Sequence, residues 1–347
     1  MQCGDFKTTY AAEMTIFDAR STRVMVFLFL ALIFSVPLYS SNYLLDVANR
    51  IGIAVIGAIG LNILTGFTGL ISLGNAAFMA IGAFSAGYLG IRFGLPFYLC
   101  IPLAGLVTAL LGMVIGIPSL RIKGLYLAMA TLAAHFIVEF LIVKWESVTG
   151  GVAGLSIPTP RLGSFALSID RHIFYLIYIV AVAAIFFARN LFRTKPGKAF
   201  IAIRDQAISA EVMGVNLLKY KLLSFGISSF FVGIAGALTA YQAKIISPET
   251  FPITVAIDYL GMIIIGGLGS VLGSIFGAVF ITLLPEVLRL VTTSLSTTFP
   301  ALISVFSSLK ELVFGILVIV FLIFEPSGMA ARWYAIKNYW KLYPFSH

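Results

Sequence analysis

The apolar residues of this chain fall in long unbroken runs separated by shorter polar breaks. Stretches such as Val24–Phe34 and Leu312–Phe324 carry no charge and no alternation of apolar with polar positions. Strands of a membrane barrel would alternate with period two, so the pattern argues against a barrel and predicts helices. A helix needs about 20 apolar residues to cross roughly 30 Å of hydrocarbon. Runs of that order lie at Val24–Ser40, Leu44–Thr65, Ser72–Gly90, Leu95–Ile117 and Leu125–Val143. Further runs lie at Ile173–Ala188, Leu222–Ala243, Ile257–Leu268, Val271–Leu290 and Leu309–Phe324. The reading is an all-α polytopic membrane protein with about ten spans. Ile257–Leu268 is short for a full crossing, so one member of the pair around Gly266-Gly267-Leu268-Gly269 also reads as a broken or re-entrant helix.

The most basic of the polar breaks is Arg189–Lys221. It carries Arg189, Arg193, Lys195, Lys198, Arg204, Lys219 and Lys221 against only Asp205 and Glu211. Such an excess marks a cytoplasmic loop. Ten spans then put both termini in the cytoplasm, with Lys7, Arg20 and Arg23 at one end and Arg332, Lys337 and Lys341 at the other. The turn Arg121-Ile122-Lys123-Gly124 falls on the same side. Lys144–Arg171, nearly balanced in charge, and Val291–Ser308, which has none, fall outside. The expected organisation is a cytoplasmic tail (1–23), a membrane domain (24–325) holding the cytoplasmic loop 189–221, and a cytoplasmic tail (326–347).

Composition fits this picture. The 347 residues are 60% hydrophobic and 11% charged, with a mean hydropathy of +1.04, whereas soluble chains are about a quarter charged. The net charge of +9 is the positive-inside bias summed over loops and tails, and no basic stretch interleaved with aromatics points to nucleic acid. Cys3 and Cys100 share no metal-ligand spacing and give no reason to expect a disulfide. Residues 1–23 are mixed polar, and the first apolar run reads as an anchor that stays rather than a cleaved signal.

Two glycine-rich regions interrupt the apolar runs. The first is Gly66-Phe67-Thr68-Gly69-Leu70-Ile71-Ser72-Leu73-Gly74-Asn75, and the second spans Gly261–Gly277. Small residues at three- and four-residue spacing serve as packing seams between helices in lipid. Alternatively, Gly66–Asn75 unwinds at mid-membrane and offers backbone groups to a pathway. Ser72 and Asn75, polar beside that backbone freedom, favour the second reading.

Ionisable groups within spans are functional candidates by default. His135 and Glu139 stand four apart on one helical face, and Glu286 and Arg289 three apart on another. Both pairs, with Asp46 and Asp258, read as lying toward span ends, where an interfacial or helix-to-helix role competes with a lining or gating role. No phosphate-binding Gly-x-x-x-x-Gly-Lys-Ser/Thr loop, zinc-protease helix or nucleophile elbow is present, so the chain is not expected to be an enzyme or to bind nucleotide itself. Within the basic loop, Ile201, Ile208, Val212 and Val215 fall along one face of a predicted helix that stops at Gly214. That helix either lies on lipid or docks a cytoplasmic partner.

The sequence resembles the permease subunits of bacterial ABC importers for branched-chain amino acids, in particular the longer member of the usual pair. The likeness is carried by Gly60-Leu61-Asn62-Ile63-Leu64-Thr65-Gly66 through Gly82, by Arg121-Ile122-Lys123-Gly124-Leu125-Tyr126, and by Thr149-Gly150-Gly151-Val152-Ala153-Gly154-Leu155. Gly197–Asn216 and Gly266–Gly277 complete the ordered set. The resemblance implies a multi-pass subunit of the bacterial inner membrane that works with ABC ATPase subunits, a sister permease and a periplasmic binding protein. ATP would be bound by the ATPase partners, with no cofactor on this chain. The resemblance places ATPase coupling on Arg204–Gly214, with Arg204, Asp205, Ile208, Glu211, Val212 and Gly214 as the contact set. Gly66, Gly69, Ser72, Gly74 and Asn75 become candidates for the translocation pathway. Ala207 and Ser209 stand where the family commonly has Glu and Ala, and Asn75 where it commonly has His. An amide keeps hydrogen bonding there but does not titrate near neutral pH. The implied cargo is a branched-chain or other apolar amino acid. A permease for urea or short-chain amides is the alternative within the family, and an ion-coupled secondary transporter the alternative outside it.

Overall fold

A computed structural model describes residues 20–119, 124–162, 165–166, 170–295 and 301–342. Among these residues the framework is helical, with four two-residue strands. The first helices are α1 (Arg20–Tyr39), α2 (Asn42–Asn62), α3 (Asn75–Arg92), α4 (Phe97–Ser119) and α5 (Leu125–Lys144). A single turn, α6 (Glu146–Thr149), precedes α7 (Asp170–Leu191), α8 (Lys195–Val212) and α9 (Leu217–Ala243). The last four are α10 (Ile253–Gly266), α11 (Val271–Leu295), α12 (Ala301–Phe324) and α13 (Gly328–Leu342). The ends are set by local chemistry. The Ser41 hydroxyl accepts the Leu44 amide at the start of α2, and the Asn216 side chain accepts the Lys219 amide at the start of α9. The turn Arg121–Lys123 lies outside the described residues.

Among the described residues, seven helices are long and apolar enough to cross a membrane, and eight if α12 and α13, bent by 47° at their junction, are taken as one span. Two of the ten runs read from sequence fall short of that measure. The apolar part of α1, Val24–Tyr39, is shorter. The other is α3, where Asn75 and Arg92 at the ends and the small residues between them dilute the apolar content. The C-terminal segment is more than a tail, since α13 packs on α10 and α11 with Ala330 buried.

At the centre stands α9, packed against α4, α3 and α2. Its small residues make that possible. A Cβ on Gly236 would sit 2.0 Å from the Met79 carbonyl oxygen, and one on Gly82 would sit 2.1 Å from that of Gly233. The α3 and α9 backbones therefore touch, as helices do where small residues face each other in lipid. The same device joins α10 to α11, where a Cβ on Gly277 would fall 1.7 Å from the Met262 oxygen. The packing reading thus holds for Gly261–Gly277. At the far end, β1 (Leu155–Ser156) pairs antiparallel with β4 (Ile245–Ile246), tying the loop after α5 to the end of α9. A second two-stranded pair, β2 (Arg161–Leu162) and β3 (Phe165–Ala166), lies in the same loop.

Candidate functional site

The first glycine-rich region interrupts the helical order within Gly66–Asn75 as expected, but at the end of a span rather than at mid-membrane. After Asn62 the chain widens into a π-helical turn, Ile63–Phe67, and then runs without helix to Asn75. The carbonyls released there are partly recaptured. Thr68 Oγ1 donates to the Ile63 oxygen, Gly69 N–H to Thr65 and Leu70 N–H to Leu64. Asn42–Phe67 holds 26 residues, or about 39 Å of helix at ~1.5 Å per residue. That already exceeds the hydrocarbon thickness, so the break lies at the end of this span rather than half-way along it.

From there the five candidate pathway residues diverge. Gly66 is buried against Asn62 and Gly269, whereas Gly69 is exposed with φ at +75°. Ser72, Gly74 and Asn75 are buried where the segment meets α5. The Thr131 hydroxyl of α5 accepts the Leu73 amide at 2.9 Å, and a Cβ on Gly74 would lie 3.1 Å from the Thr131 oxygen. Ser72 Oγ accepts the Gly74 amide at 3.3 Å. Asn75 Nδ2 is buried without a hydrogen-bond partner among the described residues, a costly arrangement of the kind found at functional positions. Two apolar cavities lie elsewhere. One of about 490 Å³ sits between α3, α4 and α5, and one of about 1000 Å³ between α11, α12 and α13.

The basic loop forms α8, and its halves differ. Pro196 sits in the first turn, where a missing N–H costs nothing. From Lys195 to Asp205 the helix is seated, with Phe200 and Ile203 buried. At Gln206 the backbone leaves helical space (φ −158°, ψ 97°) and the axis kinks. The predicted continuous apolar face is therefore split, with Ile201 and Val215 half-buried and Ile208 and Val212 projecting outward. Ile208, Val212 and Met213 are 68%, 82% and 84% exposed. Gly214 stops the helix as expected. With φ at +85° it closes a paired cap in which Val215 N–H reaches the Ala210 oxygen at 3.0 Å and Gly214 N–H that of Glu211 at 2.9 Å. A cleft of about 450 Å³ opens beside it, lined by Glu211, Gly214, Asn216 and Leu218.

Arg204 is not part of that outward surface. Its Nε and Nη2 donate to Asp205 Oδ1 at 3.0 and 2.9 Å, and Nη1 donates to the Gly66 carbonyl at 3.2 Å. The coupling and pathway candidates, far apart in sequence, thus meet at one point, and the second glycine-rich region meets them there. Asn62, which had no expected role, ties that junction. Its Oδ1 accepts the Gly269 amide at 2.9 Å, while Nδ2 donates to the Ser270 oxygen at 2.9 Å and Ser274 Oγ at 2.7 Å. The available signal was a lone amide inside an apolar run. Thr131 offered none.

The ionisable pairs separate. His135 is buried at the middle of α5, not near an end, with Nδ1 unpartnered among the described residues and Nε2 3.9 Å from the half-exposed Glu139. Glu286 accepts from the Tyr43 hydroxyl and pairs with Arg289 at 3.3 Å, and that guanidinium lies over the Tyr43 ring. This cluster joins α2 to α11, the helix-to-helix role. Asp46 pairs with Arg50 at 3.0 Å and accepts from Gln242 at 2.9 Å.

Residues 43–322 match the family model for the permease component of the branched-chain amino acid transport system. The chain belongs to this permease family. The permease is 32% identical over 338 residues to the high-affinity branched-chain amino acid transport system permease protein LivM of Salmonella typhimurium, covering 90% of this chain and 76% of that one. LivM of Escherichia coli K12 matches at 31% over the same shares. The ribose import permease protein RbsC of Haemophilus influenzae is 22% identical over 73% of this chain and 79% of its own. No solved structure matches the permease. It is a multi-pass membrane protein of a transport family, and sugar permeases are among its distant relatives.

Proposed function

We propose that this chain is a membrane-spanning subunit of an ATP-driven importer in the bacterial inner membrane, carrying branched-chain or other apolar amino acids. ATP is bound and hydrolysed by partner ATPase subunits, a sister permease completes the membrane core, and a periplasmic binding protein delivers cargo. The observation that carries the reading is the outward half of α8. Ile208, Val212 and Met213 stand exposed on a short helix capped firmly at Gly214, beside a cleft. An apolar face on a polar loop suits a protein groove, into which an amphipathic helix lays its apolar side. The cargo class rests on the names of the two LivM relatives. Ser72 and Asn75 line the cytoplasmic mouth of the pathway in this proposal, and the free amide of Asn75 is what supports it.

Affinity purification through a tag on this chain tests the class: an ATPase and a sister permease are expected to co-elute. Competition of unlabelled leucine against labelled leucine uptake tests the cargo. Val212→Glu should weaken recovery of the ATPase at least about tenfold, because the introduced carboxylate is buried unpaired on docking. Undiminished recovery would remove α8 from the docking site.

A further inference from the structure

We propose that Arg204 is the pin through which α8 moves the end of α2 and the turn between α10 and α11 as one body. The inference rests on the reading of α8 as the ATPase-docking helix and adds where its movement goes. Arg204 stands at the elbow of α8, two residues before the kink at Gln206, between the seated half and the exposed half. A push on the exposed half reaches the rest of the protein through this elbow.

Arg204 is held in a socket of glycines from both breaks. A Cβ on Gly69 would lie 3.2 Å from Arg204 Cγ, and one on Gly269 would lie 2.8 Å from Nη1. A larger residue at Gly269 would press on the guanidinium itself, and one at Gly69 on the aliphatic stem behind it. The third glycine, Gly66, supplies the acceptor, its carbonyl 3.2 Å from Nη1. That carbonyl belongs to the last turn of the first long span, where the helix dipole presents partial negative charge and favours a cation. Asp205 fixes the other edge of the guanidinium, so its plane is set before it reaches Gly66.

Asn62 makes the two breaks a single load. Its amide bonds both to the Gly269–Ser270 turn and to Ser274 on α11, so the end of α2 and the α10–α11 break cannot separate without breaking three hydrogen bonds. Arg204 therefore acts as a positioning residue and makes no contact with cargo in this scheme.

The test uses the whole complex reconstituted in proteoliposomes, with leucine imported per ATP hydrolysed as the readout. Arg204→Ala should still recover the ATPase on the same tag while the ratio falls at least tenfold. Arg204→Lys, which keeps a cationic donor within reach of the Gly66 carbonyl, should restore most of it. The Arg204 side chain is 38% exposed, so truncation opens no sealed cavity, and gel filtration of both variants reports folding. A wild-type ratio in Arg204→Ala overturns the pin, and so does an Arg204→Lys variant as uncoupled as Ala. A wild-type complex lacking the ATPase overturns the docking reading and the pin with it.

Discussion

Gly82 and Gly236 show how a single missing side chain decides packing here. Each lies where the α3 and α9 backbones touch, and a Cβ at Gly82 would meet the Gly233 carbonyl and Cα at 2.1 and 2.6 Å. Neither helix can yield, because α9 is flanked by α2 and α4 as well. Gly82→Val should therefore destabilise the protein by about 1–3 kcal/mol, read as a lower melting temperature in detergent. Gly315 on α12 is the contrast, with nothing within 4 Å of its Cβ position. Gly315→Ala should leave stability unchanged or raise it by up to about 1 kcal/mol, because a mid-helix glycine is disfavoured against alanine by that much. Equal effects would show that the seam does not carry the packing. The importance of glycines was legible from their spacing, but which ones touch backbone was not. Nor was the junction role of Asn62, because Gly269 and Ser274 lie 207 and 212 residues along the chain.

The clearest division within one element is the kink in α8. Its first half covers buried Phe200 and Ile203, whereas its second half has only Ala210 buried. Backbone hydrogen bonds with no core beneath them open easily. In the isolated permease, amides of Ile208–Met213 should exchange with deuterium far faster than those of Ala199–Ile203. Binding of the partner ATPase should slow the outer set by at least about tenfold, equivalent to ~1.4 kcal/mol. Uniform exchange along α8 would contradict the division. That a short helix occupies this loop, and that Gly214 ends it, could be read from the sequence. The kink could not, since Gln206 is neither proline nor glycine and its neighbours favour helix. It lies two residues after Arg204, whose guanidinium reaches the Gly66 carbonyl, a long-range contact that local sequence does not announce. The break after α2 falls within Gly66–Asn75 as read, although the π turn carries the helix to Phe67 before it yields, at a span end that glycine content alone does not locate.

For the whole molecule, the contacts bear on the order of the helix ends where length and hydropathy alone leave α1, α3 and the bent α12–α13 pair undecided. Gly66 touches Arg204, so the end of α2 lies at the α8 end of the bundle. Phe93, after α3, is separated from α8 by three helices that each meet the spanning measure, α4, α5 and α7. If all three cross, Phe93 is expected at the opposite end and α3 is expected to join the two ends despite its polar termini. Gly269 beside Arg204 and Gly328 against Gly267 place the start of α11 and of α13 at the α8 end in the same way. On that ordering α1 is the crossing to test, and with it the side on which Cys3 lies. The native Cys3 can report it in a protein with Cys100, which is buried, replaced by serine. A membrane-impermeant maleimide should label Phe93→Cys, 65% exposed in the wild type, in intact cells. It should label neither Cys3 nor Glu211→Cys until the membrane is opened, if α1 crosses and the total is ten. Labelling of Cys3 from outside, with Glu211→Cys still protected, would mean that α1 stays on one face. The beginning of the chain would then stand opposite α8, and the charge pattern that put both termini in the cytoplasm would hold for the C-terminus alone.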